Sequence, residues 1–140
     1  MLFPKKVKHR KWHSDRKGTE KLVKPETRGV TLAFGSYGLK AQSQARVFSN
    51  QLEAARRAMA RELGKTAKAW TRIFPDRPIT EKAAEVQMGK GKGDLKGYCF
   101  DVRPGRMIFE VDGVTEAVAK EALRKAGTKL PVKTKIVARD

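Results

Sequence analysis

The chain has 140 residues and a mass of 15.7 kDa, enough for one domain with appendages and too little for two. Its 32 Lys and Arg against 15 Asp and Glu leave a net charge of +17 and a pI near 10.4. Such an imbalance asks for an anionic partner, because like charges repel one another in a compact fold. No apolar run reaches the ~20 residues of a membrane span, the start Met1-Leu2-Phe3-Pro4-Lys5-Lys6 lacks the core of a signal peptide, and a single cysteine, Cys99, excludes an internal disulfide and is no zinc site by itself. A cytosolic protein with no membrane partner is expected.

Residues 1–28 carry ten cations (Lys5, Lys6, Lys8, Arg10, Lys11, Arg16, Lys17, Lys21, Lys24, Arg28) against the three acids Asp15, Glu20 and Glu26. They show little apolar periodicity, so a basic arm that orders on its partner is expected, followed by a single domain over 29–140. Trp12 suits stacking on a base or tucking beneath the domain. His9 and His13 have the i, i+4 spacing of a metal pair, but with no third ligand nearby and cations all round they read as ordinary arm histidines.

Alternation of Val30, Leu32 and Phe34 with Thr31 and Ala33 predicts a strand over 30–34. Gly35-Ser36-Tyr37-Gly38-Leu39-Lys40 then permits either a tight turn with close backbone approach or backbone contact to phosphate. Residues 50–63 predict a helix, with Asn50 as cap, Glu53 three residues on and Gly64 at the stop. Leu52, Ala55, Met59 and Leu63 form its apolar stripe, so Arg56, Arg57 and Arg61 fall elsewhere on the cylinder, facing solvent or phosphate. Glu53 and Arg57 form an i, i+4 pair.

Gly64-Lys65-Thr66 looks like the end of a phosphate-binding P-loop. Met59 stands where that motif needs glycine, and the predicted order of helix then strand is the reverse of what it needs, so nucleotide hydrolysis is excluded. Residues 69–74 alternate as a strand with Trp70, Arg72 and Phe74 on one face, ended by Pro75 and Pro78. Residues 79–88 read as extended, and 98–102 as the returning strand of a long hairpin. Its tip is Met88-Gly89-Lys90-Gly91-Lys92-Gly93, where glycine removes packing side chains and lysine supplies charge. Arg103-Pro104-Gly105-Arg106 predicts a turn into a strand over 107–111. A helix over 116–126, capped by Thr115 and turning Val118, Ala122 and Ala126 inward, and a strand over 132–138 complete the chain. The sum is an α+β fold, two helices packed on an antiparallel sheet of about six strands.

Five strings in this order and spacing resemble the bacterial large-subunit ribosomal protein L-sixteen family: Phe34-Gly35-Ser36-Tyr37-Gly38-Leu39-Lys40-Ala41, Glu53-Ala54-Ala55-Arg56-Arg57-Ala58-Met59, Arg72-Ile73-Phe74-Pro75-Asp76-Arg77-Pro78-Ile79-Thr80-Glu81-Lys82, the run from Met88 to Gly93, and Lys129-Leu130-Pro131-Val132-Lys133-Thr134. The resemblance implies an α+β sandwich on 23S ribosomal RNA beside A-site and P-site tRNA, near the peptidyl transferase centre, with roles in tRNA positioning and late subunit assembly. It implies no catalysis, no cofactor and no homo-oligomer, with other large-subunit proteins as neighbours on a cytoplasmic ribosome. Carried onto this chain, ribosomal RNA falls to Lys5, Lys6, Lys8, Arg10, Lys11, Arg56, Arg57, Arg61 and Arg72. The tRNA-proximal loop falls to Gln87, Met88, Gly89, Lys90, Gly91, Lys92 and Gly93. The segment between Trp12 and Val30 is a few residues longer than the family pattern, and Gln87 stands where arginine is frequent.

Two readings from other classes compete. A metal-dependent nuclease or basic toxin needs convergent carboxylates, for which Asp94, Asp101, Glu110 and Asp112 are the candidates, Asp101 and Glu110 meeting if their strands are neighbours. A charge-driven chaperone or DNA-compacting protein needs only the positive surface.

Overall fold

A computed structural model describes residues 1–13 and 23–139. Among these residues seven strands and two helices follow in the order β1 (Tyr37–Ala41), β2 (Ala45–Phe48), α1 (Ser49–Leu63), β3 (Lys68–Thr71), β4 (Arg77–Glu81), β5 (Asp94–Val102), β6 (Met107–Asp112), α2 (Glu116–Gly127) and β7 (Thr134–Ala138). The fold class is α+β with antiparallel pairing, as expected, but the strands divide into two sheets, β3-β6-β1-β7 and β2-β5-β4.

The division turns on one corner. Arg103 to Arg106 does form the predicted turn, with Gly105 at φ 97° and the Arg106 N–H donating to the Arg103 carbonyl at 3.2 Å. It does not close a hairpin. Both flanks of β5 are taken by β2 and β4, so the chain leaving the corner pairs instead with β1 and β3 of the other sheet. β6 becomes one of its two inner strands, with Met107, Ile108, Phe109, Glu110 and Val111 all buried.

Leu52, Ala55, Met59 and Leu63 of α1 face Ala119, Ala122, Leu123 and Ala126 of α2, and the small alanines let the helices close on each other above Leu39, Phe109 and Val111. The first helix starts one residue earlier than predicted. Phe48 is its N-cap, the Gln51 side chain accepts the Phe48 N–H at 3.0 Å, and Asn50 accepts only from the neighbouring Gln51 N–H. Gly64 ends it at φ 76°.

The strand expected over 30–34 is absent. Its backbone N–H groups at Ala33 and Phe34 donate to the Glu110 carboxylate at 2.7 and 3.2 Å rather than to a neighbouring strand. The segment is a strap across the outer face of the four-stranded sheet. The regular strand lies further on, inside the stretch read as a turn or phosphate contact, where the two glycines serve close packing. A Cβ on Gly35 would come within 2.6 Å of the Val111 carbonyl oxygen, and one on Gly38 within 2.4 Å of Leu32.

The β4–β5 hairpin is present, but β4 ends at Glu81 and β5 begins at Asp94. Residues 82–93 are a true loop, with a Val86 N–H to Ala83 carbonyl turn at 3.1 Å. Pro78 sits within β4, tolerable because β4 is an edge strand. The remaining bounds move by a few residues: β3 stops at Thr71 and β7 begins at Thr134.

Candidate nucleic-acid interface

The buried stripe of α1 dictates where its arginines point. Arg56, Arg57 and Arg61 are exposed. Glu53, between the stripe and the surface, is buried and does more than form the single predicted pair. Its Oε2 accepts from Arg56 Nε at 3.0 Å, and its Oε1 accepts from Arg56 Nη2 at 2.5 Å and Arg57 Nε at 3.1 Å. These hydrogen bonds, those from Arg56 first, overcome the opposing effect of burial and hold the Glu53 carboxyl down at about 2, while Arg56 is pushed upward by the same partner. The two arginine side chains are 45% and 67% exposed.

Lys5, Lys6, Lys8, Arg10 and Lys11 are all exposed on the arm. Its beginning lies on the domain: Leu2 packs against the core and Phe3 stacks on Tyr98 with ring centroids 6.4 Å apart. Arg16, Lys17 and Lys21 lie outside the described residues. Further on, Arg103 donates to the Lys24 and Pro25 carbonyls and Arg106 to the Arg28 carbonyl, attaching 24–28 to the sheet corner. His9 and His13 are exposed, and among the described residues no group of three or more His, Cys, Asp or Glu could hold a metal ion.

In the hairpin loop Gln87, Met88, Gly89, Lys90, Gly91 and Lys92 are exposed and Gly93 is half-buried. Gly89, Lys90 and Gly91 have φ of 96°, 60° and 105°, a run that glycine adopts freely and lysine does not. Lys82 donates its Nζ to the Gly89 carbonyl, folding the tip back on its own base.

Arg72 differs from the other arginines. Its Nη1 donates to the Thr31 carbonyl at 3.1 Å and pairs with Glu110 Oε2 at 2.9 Å, its guanidinium lies 5.5 Å from the Phe34 ring centroid, and its side chain is 17% exposed. Its charge is engaged within the protein, holding the strap. Arg46, which the sequence reading passed over, has the opposite placement. It lies on β2, 47% exposed, with Nε 3.3 Å from Asp101 Oδ1, while Arg77 Nη1 holds the other oxygen at 2.6 Å. The alternation in Ala45-Arg46-Val47-Phe48, with only Val47 buried, was its one signal.

Of the carboxylates proposed for a nuclease, Asp101, Glu110 and Asp112 are engaged within the protein and Asp94 is exposed at the start of β5. Asp101 and Glu110 belong to different sheets, and each is neutralised by arginine. Asp112 accepts from the Ser36 hydroxyl at 2.9 Å, which with the Gly113 N–H holds its carboxyl below the usual range. Cys99 is buried, its thiol pushed up to about 11 by desolvation, as befits an inert strand residue. No described helix is long and apolar enough to cross a membrane.

Fold and surface together define a structural protein that buries Glu53, Asp101 and Glu110 on arginines and exposes the cations of its first residues, of α1 and of the hairpin loop, with no catalytic constellation among the described residues. Residues 4–137 match the ribosomal protein L16p/L10e family. Its relatives include the large ribosomal subunit protein uL16 of Maricaulis maris (strain MCS10), 53% identical over 140 residues that cover 99% of this chain and 98% of the relative. That of Rhodopseudomonas palustris (strain BisB18) is 50% identical over 139 residues, with the same coverage of 99% and 98%. The chain belongs to the L16p/L10e family of ribosomal proteins, structural constituents of the large subunit and not enzymes.

Proposed function

We propose that the chain binds 23S ribosomal RNA through the arm over 1–28 and through α1 of the domain over 29–140. It extends the 87–93 loop toward A-site and P-site tRNA near the peptidyl transferase centre, supporting tRNA positioning and late subunit assembly on cytoplasmic ribosomes. The observation that carries this reading is the sorting of charge. Lys5, Lys6, Lys8, Arg10, Lys11, Arg56, Arg57, Arg61, Lys90 and Lys92 are exposed, while Glu53, Asp101 and Glu110 are buried on arginines. A surface so arranged neutralises phosphate and releases counterions. Arg72 supports it indirectly, by fixing the strap. Recognition of this kind reads RNA backbone and shape more than base sequence.

Titration onto 23S ribosomal RNA at several salt concentrations tests it. The logarithm of affinity should fall by roughly 0.7–0.9 per phosphate neutralised for each decade of salt, and a flat response would overturn the reading. Replacing Lys90 and Lys92 with alanine should impair tRNA accommodation on subunits that still assemble. Unassembled subunits would overturn the loop assignment.

A further inference from the structure

We propose that Glu53 is a positioning residue for RNA recognition: it fixes the guanidinium groups of Arg56 and Arg57 as one rigid pair on the outside of α1, and that fixed geometry, beyond charge, grips the phosphates of folded RNA. The inference rests on the RNA-binding reading of α1 and deepens it.

An acid beside two arginines lowers the local positive charge, which by Coulomb attraction alone weakens a phosphate contact. The geometry supplies the compensating effect. Glu53 is 8% exposed, so its carboxylate is anchored by the helix–core packing rather than waving in solvent. It engages Nε and Nη2 of Arg56 but only Nε of Arg57. Arg56 keeps Nη1, and Arg57 keeps both terminal nitrogens, for an outside acceptor. A free arginine samples many rotamers and gives up that freedom on gripping a phosphate; these two have given it up already on folding. Folded RNA presents phosphates at fixed spacings and gains from a fixed pair, whereas a flexible strand adapts to any arrangement.

The test compares binding of deproteinised 23S ribosomal RNA and of poly(U) by the wild-type chain, Glu53→Gln, Glu53→Asp, and an Arg56→Ala, Arg57→Ala double variant with and without Glu53→Gln. Both single Glu53 variants should lose roughly tenfold on 23S ribosomal RNA, on the scale of two arginines freed to move, while poly(U) binding stays equal or tightens. Glu53→Asp conserves net charge, so its loss is geometric, and as the milder change it carries the comparison if Glu53→Gln lowers the melting temperature. In the double-alanine background Glu53→Gln should have no further effect. Undiminished 23S binding by both Glu53 variants, or equal losses on both RNAs, overturns the positioning role. A wild-type chain that binds 23S ribosomal RNA without salt dependence overturns the RNA-binding reading instead.

Discussion

Three buried carboxylates set the behaviour of the arginines around them. Glu110 is fully buried and satisfied by Arg72 and two strap N–H groups. Removing one member of such a set strands the others, so Glu110→Ala should lower the unfolding free energy by about 3–5 kcal/mol. Replacing Glu110 and Arg72 together by apolar residues should cost less than the two single losses added, measured by urea unfolding as a double-mutant cycle. Glu53 gives a pH signature. Its carboxyl is lower when folded, at about 2, than the ordinary 4.5, so it favours folding at pH values above the unfolded value and loses this as pH falls toward 2. The stability gap between wild type and Glu53→Gln should therefore be full at pH 6 and shrink on acidification from about 4.5 to 2. A gap independent of pH would contradict the ion-pair account. None of these roles was visible in the residues alone. Glu53 read as a helix-surface partner of Arg57, and nothing marked Arg72 as the partner of Glu110, because whether an ion pair is buried depends on what packs over it.

At the scale of elements, periodicity identified both helices and the hairpin, since the burial of Leu52, Ala55, Met59 and Leu63 on one side of α1 is a local property of a 3.6-residue turn. It misassigned 30–34. The alternation there is genuine, with Leu32 against Gly38 and Phe34 stacked on Trp70 at 5.8 Å, but the segment packs on a sheet without joining its ladder. The strap explains Gly38 beneath Leu32, and the backbone of β6 explains Gly35. Gly35→Ala should destabilise by about 1–3 kcal/mol or more, because the added methyl meets the Val111 backbone, which has no room to yield. Gly38→Ala should cost less, since it meets the ends of Leu32 and Met107 side chains that can shift. Thermal unfolding of the two variants checks the ranking, and equal costs would contradict it.

At the scale of the molecule, a net charge of +17 on 140 residues destabilises the free protein by self-repulsion. An anion that binds the folded surface in preference to the unfolded chain should raise its melting temperature. Inorganic polyphosphate at low ionic strength should therefore raise it by several degrees, and the effect should fade above about 0.5 M salt as screening lengths shrink. Polyphosphate that lowers the melting temperature, or leaves it unmoved, would argue that the cations are dispersed rather than arrayed. The two sheets matter to this arrangement, because the β5–β6 corner carries Arg103 and Arg106 to the backbone of 24–28 and so fixes that segment against the corner.

Composition, charge and short-range pattern are properties of the chain itself, and they alone sufficed for the α+β class, the anionic partner, the lysine–glycine tip and the helix that presents Arg56 and Arg57. The tertiary structure decided which strands are neighbours, that β5 and β6 part at a corner, and which arginines face inward. Those outcomes rest on contacts between residues far apart in sequence, such as Glu110 with Ala33 or Asp101 with Arg77, and desolvation gives such contacts their strength only once the fold has brought them together.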